Sequence, residues 1–454
     1  MKCRVLAAAA CAAAVVWFAG AVPTLAVEAN GSGSLTLLEA VEGALGSHPS
    51  VESMRAREEA ARAAVNRATS SRWPQLSAGG TLTSLQEPNL VKPLHSFDVS
   101  QIEFESSILR TDLTLVYALY DGGARGAHIR RARADAAGVS STREMEEMSL
   151  AARVVHAYLN VLTANGVLDA AGRHAEALRA ERSRVERTLA EGRGARVEML
   201  RVEALLSEVE GERQAAAARL EAAERELALL AGVSAAEAGA DRLEDVRAVR
   251  SESIADADAL IARARDNNPA VAAARRGVES AQAGERVAIA AWIPRFDAVG
   301  SYLGYGSLDS DFTLEWQVGV SVSYPLFTGG ARSGASKEAS ARTRAAREDL
   351  RSSELSAEES VNRALSAVIE TNALADAAER ALAHQEEVVR IEALSRDVGT
   401  GTQTDYLEAE AQLFRVRSRL VESRNAEIAA RVELARILGD LTPEWLSQHL
   451  ETTP

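Results

Sequence analysis

The chain has 454 residues, 47% of them hydrophobic but only 4% aromatic, with 10 prolines, 2 cysteines and a formal net charge of −14. Length alone suggests about three ordinary domains, yet there are too few aromatics to fill several cores and too many apolar residues for a disordered chain. The acidic balance makes nucleic acid and an anionic membrane surface poor partners for the molecule as a whole.

At the N-terminus, Lys2 and Arg4 precede Val5–Gly20, an unbroken run of apolar and small residues. Thr24-Leu25-Ala26 and Val27-Glu28-Ala29 both place small residues where a signal peptidase cuts, so residues 1–29 are expected to be a removed secretory signal. Read instead as an anchor, the run falls short of the roughly 20 residues that a spanning helix needs. Cys3 and Cys11 lie inside this segment, which leaves the mature chain without disulfide or thiol chemistry. Lipidation at Cys11 would leave only Val5–Ala10 as an apolar core, too short for a signal. Cleavage after Ala29 removes Lys2, Arg4 and Glu28 and moves the formal charge from −14 to −15. No later stretch approaches a transmembrane helix, so any membrane crossing falls to β-strands.

From there on the chain is written twice. His48-Pro49-Ser50-Val51 returns as Asn268-Pro269-Ala270-Val271 at an offset of 220, and Trp73-Pro74-Gln75-Leu76 returns as Ile293-Pro294-Arg295-Phe296 at the same offset. The offset then drops to 207, where Leu119-Tyr120-Asp121-Gly122-Gly123-Ala124-Arg125 becomes Leu326-Phe327-Thr328-Gly329-Gly330-Ala331-Arg332. Glu191-Gly192-Arg193-Gly194 becomes Val398-Gly399-Thr400-Gly401 in that register. The 13-residue change falls between Gly80 and Gly122, in an expected loop holding Pro88 and Pro93. The expected division is a first repeat over 30–232, a linker over 233–256, a second repeat over 257–440 and a tail over 441–454.

Each half predicts a helix, two strands, a long helix and a return helix. Pro49 and Pro269 sit at helix starts, where a missing N–H costs nothing, and those helices stop before Pro74 and Pro294. Strands follow over 75–85 and 295–305. The next strands alternate: Leu113, Leu115, Tyr117 and Leu119 in the first half, Trp316, Val318, Val320, Val322, Tyr324 and Leu326 in the second. The Gly-Gly pairs then switch the chain into helix. Residues 94–268 and 326–442 hold no proline and are crowded with Ala, Glu, Arg and Leu, the composition of long helices. Nothing stops the helix from Ala124 to about Glu191, or its twin from Ala331 to Asp397, roughly 100 Å of rod each. The first return helix carries a 4,3 seam of Val202, Leu206, Val209, Arg213, Ala216, Leu220, Ala223, Leu227 and Leu230, with Arg213 its one violation. Its twin keeps Ala409, Leu413, Val416 and Leu420 but puts Ser423 and Glu427 on the stripe.

Four strands of about ten residues suit a tilted crossing of an outer membrane. Four cannot close, since single-chain barrels begin at about eight strands, and an open edge is not tolerated in lipid. The strands are therefore either shared between subunits or part of a small soluble sheet. At this point the residues carry a resemblance. The stretch Tyr324-Pro325-Leu326-Phe327-Thr328-Gly329-Gly330, the doubled layout, and Val398-Gly399-Thr400-Gly401-Thr402-Gln403-Thr404-Asp405-Tyr406-Leu407-Glu408-Ala409 resemble the outer membrane efflux protein family of TolC-like channels, over about residues 35–440. Ala118, where the repeat and the family have proline, and Arg193-Gly194-Ala195, a loose version of the tip loop, depart from the pattern. The resemblance implies a mainly α fold with a small β part. Tandem long helical hairpins form an α-barrel tunnel, and four strands per subunit join a shared 12-stranded transmembrane β-barrel in a homotrimer. It implies a seat in the cell outer membrane, in contact with its lipid, and a tunnel through the periplasm. The linker and the segment after Gly439 would form an equatorial region.

The two helix-to-helix turns tempt a nucleotide reading through their Gly-x-Gly pattern, but neither has a third glycine nor follows a strand. Turn chemistry leaves a plain helix-terminating turn and a docking role open. The resemblance implies that Val398, Gly399 and Thr400, with Gly192 and Gly194 in the first half, meet a periplasmic adaptor that couples to an inner-membrane pump. Asp405 and Glu408 share one helix face at i, i+3. Alone they read either as solvated acids or as a functional pair. The resemblance implies that they ring a narrow channel entrance, where threefold repetition favours cations. Glu198 is the repeat counterpart of Asp405, while Arg201 replaces the counterpart of Glu408, so Glu198 or Arg201 could tether a closed state.

Enzyme signatures are missing. The histidines at 48, 95, 128, 156, 174, 384 and 449 form no i, i+4 ligand pair, no Walker loop or Gly-x-Ser-x-Gly appears, and each histidine is expected on the surface or in the lumen. No cofactor, metal or nucleic-acid partner is expected. Trp73, Trp292 and Trp316 bracket strands, as core residues or as interface aromatics. The expected function is an exit duct for small molecules or polypeptides in a tripartite efflux or type I secretion system. The alternative is a periplasmic coiled-coil structural or adaptor protein.

Overall fold

The computed structural model describes residues 34–91, 93, 103–249, 256–307 and 312–453. The expected signal with Cys3 and Cys11, and residues 94–102 of the expected loop, lie outside the described residues.

Each half opens with two helices rather than one. Helix α1 (Leu37–Ser47) is started by a capping box, in which the Glu39 N–H donates to the Thr36 hydroxyl at 3.2 Å and the Thr36 N–H to the Glu39 carboxylate at 3.0 Å. It ends at His48 because the residue before a proline is pushed into extended backbone, and α2 (Pro49–Ser70) restarts at once with Pro49 in its first turn. The same break at Asn268 separates α5 (Ala257–Asn267) from α6 (Pro269–Ala290). Asn268 caps α6 by accepting from the Ala270 N–H at 2.9 Å, while its amide donates to the Ile437 carbonyl at 2.8 Å. The short helices α1 and α5 are the elements that the periodicity of the sequence did not reveal.

Strands β1 (Gln75–Leu90) and β2 (Phe104–Tyr120) follow α2, and the chain then enters α3 (Ala124–Ala190) and returns in α4 (Arg196–Ala231). The linker contributes one 3-10 turn (Ala240–Arg242) and β3 (Asp245–Ala248). After α6 come β4 (Arg295–Gly306), β5 (Thr313–Ser323), α7 (Ala331–Asp397), α8 (Gln403–Leu438), α9 (Pro443–His449) and β6 (Leu450–Thr453). The long helices are matched in both halves, 67 residues down and 36 back. Gly123 and Gly330, both at φ +86°, make the switch from strand to rod, a conformation that L side chains avoid.

The four long strands form one antiparallel sheet in the order β1-β2-β4-β5. The expected loop around Pro88 is partly strand. Pro88 lies inside β1, where the ladder slips register between Ser84 and Asn89; an edge strand accommodates its missing N–H at such an interruption. The insertion in the first half therefore lengthens β1 and β2 to 16 and 17 residues, against 12 and 11 for β4 and β5. β5 stops at Ser323, ahead of Pro325, shorter than its alternation suggests.

Among the described residues, no helix packs across either face of this sheet. Trp316 is 75% exposed and Val318 77%, and Val320, Val322 and Leu326 are exposed with them. Trp73 and Trp292 are exposed at the helical end of the sheet rather than in a core.

Below the sheet the helices lie in one layer, α2, α3, α6 and α7 in the near half and α4, α3, α8 and α7 in the far half. The seam of α4 holds: Val202, Val209, Ala216 and Leu227 are buried, and Arg213, the violation, is exposed and paired with Glu210 at 3.0 Å. Ser423 and Glu427 of α8 are buried with the stripe they interrupt, and Arg431 satisfies Glu427 at 2.9 Å. The main core sits at mid-rod, where Leu150, Val154 and Tyr158 of α3 meet Val41, Leu227, Ile428 and Val432. The Tyr158 hydroxyl donates to the carbonyls of Leu35 at 3.0 Å and Glu244 at 2.9 Å. There the linker strand β3 pairs antiparallel with β6 of the tail. Among the described residues no helix is long and apolar enough to cross a membrane.

Candidate functional site

The far ends of the two hairpins carry most of the residues singled out by the sequence. Their turns have the same backbone. The N–H groups of Arg193 and Gly194 both donate to the Thr188 carbonyl, at 2.9 and 3.0 Å, and those of Thr400 and Gly401 to the Ser395 carbonyl, at 2.9 and 3.0 Å. The first glycine of each pair takes positive φ, +72° at Gly192 and +80° at Gly399. The second has no room for a side chain: a Cβ on Gly194 would meet the Leu189 nitrogen at 2.9 Å, and one on Gly401 would meet the Ser395 Cβ at 3.0 Å. The turn itself thus requires both glycines. Val398, which ends α7, is 66% exposed and continues an exposed apolar strip with Leu394 and Ile391; Val197 and Leu200 are exposed at the first tip.

The helices that leave these turns start differently. At α8 the Thr402 hydroxyl accepts from the Asp405 N–H at 3.2 Å, while the Asp405 carboxylate accepts from the Thr402 N–H at 3.2 Å and from its hydroxyl at 2.7 Å. Asp405 is therefore an exposed acid with a local duty: it satisfies backbone groups and suits the positive end of the helix. Glu408 is exposed one turn on, with no ion pair among the described residues. At α4 the cap position is Ala195, which offers no side-chain bond, so the half-buried Glu198 stands at the same helical position without a capping partner. Arg201 of α4 reaches the other hairpin and donates to the Thr404 hydroxyl. The structure thus brings Arg201 to the first turn of α8, and leaves Glu198 on the first hairpin.

A buried polar cluster, absent from the sequence reading, joins the hairpins just behind the tips. Glu181 of α3 is 2% exposed and accepts from Arg184 at 2.7 Å and from Arg396 of α7 at 2.6 Å. The Arg396 guanidinium also bonds Asp397 at 2.9 Å and lies 4.0 Å over the Tyr406 ring. The Tyr406 hydroxyl donates to Glu410 at 3.0 Å. Burial, reinforced by the Glu410 charge, pushes Tyr406 up to about 12, and burial likewise raises Glu410, against the opposing effect of the tyrosine hydrogen bond. A signal for this cluster existed. Glu181 stands between Leu178 and Val185 at the 3,4 spacing of a buried stripe, a carboxylate where an apolar residue belongs.

His174 also departs from expectation. It is 6% exposed, stacked on Phe414 of α8 at 5.3 Å, and burial followed by the Arg415 charge lowers its pKa. Among the described residues, no group of three or more His, Cys, Asp and Glu side chains is placed to hold a metal ion.

The sequence pattern that defines the outer membrane efflux protein family matches residues 40–233 and 260–440. The chain is 25% identical over 210 residues to the outer membrane protein TolC of Vibrio cholerae serotype O1, and 29% identical over 214 residues to the outer membrane efflux protein BepC of Brucella suis biovar 1. These stretches are 44% and 46% of this chain, and the chain spans about half the length of those relatives, 48% and 46%. Over the whole fold it is similar to a membrane protein from Pseudomonas aeruginosa, with a TM-score of 0.77, 21% identity and coverage of 89% of this chain and 93% of that one. The outer membrane protein VceC from Vibrio cholerae gives a TM-score of 0.73 at 18% identity, covering 89% and 96%. At such identities the likeness is one of fold.

Proposed function

The chain belongs to the outer membrane efflux protein family, and on that premise we propose that three copies form an outer-membrane channel serving as the exit duct of a tripartite efflux or type I secretion system. One observation carries this reading: a four-stranded sheet that, among the described residues, has no helix packed on either face and no strand paired to the outer edges of β1 and β5. In water, the apolar row from Trp316 to Leu326 would be a large exposed patch. In lipid the row is favourable but the open edges are not. The strand order runs up and down, so β5 of one copy can lie antiparallel to β1 of the next. Three copies give twelve strands, within the range of closed membrane barrels. The runner-up, a soluble coiled-coil protein, leaves the sheet with no helix among the described residues to cover it.

On this reading the helix layer curves into a tunnel in the periplasm, and substrates, small molecules or polypeptides, enter at the tips. Val398, Gly399, Thr400, Gly192 and Gly194 present the turns to a periplasmic adaptor, and an inner-membrane pump supplies the energy. Asp405 and Glu408 of three copies place six carboxylates at the mouth, and Glu198 adds three more nearby, a field that favours cations. Opening moves one hairpin tip against the other, which strains the Glu181–Arg396 contact and the Arg201–Thr404 bond.

Fractionation of the native protein tests the assembly. A detergent-extracted trimer in the outer-membrane fraction is expected, and a monomer soluble without detergent contradicts the proposal. Single-channel recording tests the mouth. Asp405→Asn/Glu408→Gln is expected to lose cation preference, and unchanged selectivity leaves both as ordinary solvated acids.

A further inference from the structure

We propose that the groove between α3 and α6 is an anion site that takes a phosphate-bearing group. The groove encloses about 380 Å³ and lies near the sheet end of the helix layer. Its floor is Ala134, Ala137 and Ala283, and its rim is Arg130 and Arg133 from α3 with Arg276 and Arg286 from α6. One carboxylate, Glu279, borders it, held by both oxygens to the Arg276 guanidinium at 2.9 and 3.0 Å. Arg130, Arg133 and Arg286 make no ion pair among the described residues.

Three features set these arginines apart from a solvated helix face. The chain carries 65 acidic and 51 basic side chains, yet here four guanidinia meet one carboxylate. Further along α3 the arginines find partners: Arg143 bonds Glu147 at 2.6 Å, Arg153 bonds Glu146 at 3.1 Å, and Arg173 bonds Asp169 at 2.8 Å. At the groove end Arg125 pairs with Asp121 at 3.1 Å and Arg131 lies 3.9 Å from Asp135, while Arg130 and Arg133, which face the groove, have no such partner. The duplication does not account for the cluster either. Arg130 alone has a basic repeat counterpart, Lys337; those of Arg133, Arg276 and Arg286 are Ser340, Ala56 and Asn66.

Small residues let the two helices approach and leave the guanidinia flanking a shallow trough. A Cβ on Gly138 would lie 3.6 Å from the Arg276 Cβ. Guanidinium forks match the paired oxygens of a phosphate, and several of them match a dianion or a polyphosphate better than a lone carboxylate. Arg130 and Arg133 lie about 10–15 Å along α3 from its start below the sheet. The phosphate can therefore belong to the headgroup of an anionic lipid or to a soluble phosphate compound.

The full-length protein in detergent separates these sources. Inorganic pyrophosphate is titrated by calorimetry, and in parallel phosphatidylglycerol and phosphatidylethanolamine retained by the protein are counted by native mass spectrometry. Saturable binding of one anion per chain is expected in at least one arm, weakened about tenfold or more in R130Q/R133Q/R286Q. E279Q is expected to tighten it, and R363Q, on the exposed and distant Arg363, to leave it unchanged. Pyrophosphate binding alone assigns a soluble phosphate, and preference for phosphatidylglycerol alone assigns a headgroup. No binding of either probe, or equal binding by the triple variant, overturns the proposal. The pyrophosphate arm stands whether or not the chain is a channel, and only the lipid arm rests on that reading.

Discussion

The two hairpin tips share one turn and differ in how the return helix begins. Both bend on a positive-φ glycine and close on a glycine with no space for a Cβ. Only the second is locked by a capping box, Thr402 with Asp405; the first has Ala195 in place of the hydroxyl. The difference teaches that an acid at the third helical position has two possible employments. Asp405 is held by its own helix terminus, whereas Glu198 at the matching place is left available. Duplication thus preserved the backbone while freeing the side chains of one copy to diverge, and the hairpins are reunited behind the tips by Glu181 and Arg396.

The tips depend on each other most where Glu181 and Arg396 join them. Glu181→Ala leaves Arg184 and Arg396 side by side without their shared carboxylate, at an expected cost of about 3–5 kcal/mol. Amide hydrogen exchange of the peptides around 181–200 and 390–410 reads this as a matching loss of protection in both tips. Protection lost at one tip alone contradicts the linkage. Next in size, Thr402→Ala is expected to cost about 1 kcal/mol at the second tip. The complementary change, Ala195→Ser, supplies the missing hydroxyl to Glu198 and is expected to gain up to about 1 kcal/mol at the first tip. Equal exchange at both tips in the Ala195→Ser variant is the sign that the cap was the whole difference.

The smallest expected effect is a pH dependence confined to the second tip. Burial raises Glu410, so its protonated form is the one favoured by the fold. The stability from this group is full below the ordinary carboxylate pKa and is lost as pH rises through the raised folded value. Protection of the second tip, corrected for intrinsic exchange, is therefore expected to decline over that window, and Glu410→Gln to abolish the slope.

Much of this architecture is readable from residue order. The proline-free stretches, the Gly-Gly switches and the two offsets placed both rods within a residue of their ends, because a long helix announces itself by what does not interrupt it. The short helices α1 and α5 escaped notice since each ends in the extended residue demanded by the next proline, which reads as a start rather than as a break. Pro88 suggested a loop because the sequence does not say which strand will lie at an edge. At the candidate site the turns and Asp405 were visible as motifs. The partnership of Glu181 with Arg396, 215 residues away, was not, because no local period encodes which charges meet between two halves of a chain. Net charge misled in a related way: an acidic total conceals the basic groove between α3 and α6.

On the proposed reading the four-stranded sheet is one third of a closed barrel. Leu76 is the second residue of β1 and Val322 the last but one of β5, both exposed at the helical end of the sheet and on its two outer strands. With Leu76→Cys/Val322→Cys in a chain whose other cysteines lie in the expected signal, a short bis-maleimide applied to intact outer membranes joins neighbours through these edges. Closure predicts denatured bands of one, two and three copies and none larger. Monomer alone, or a ladder that continues past three, contradicts it.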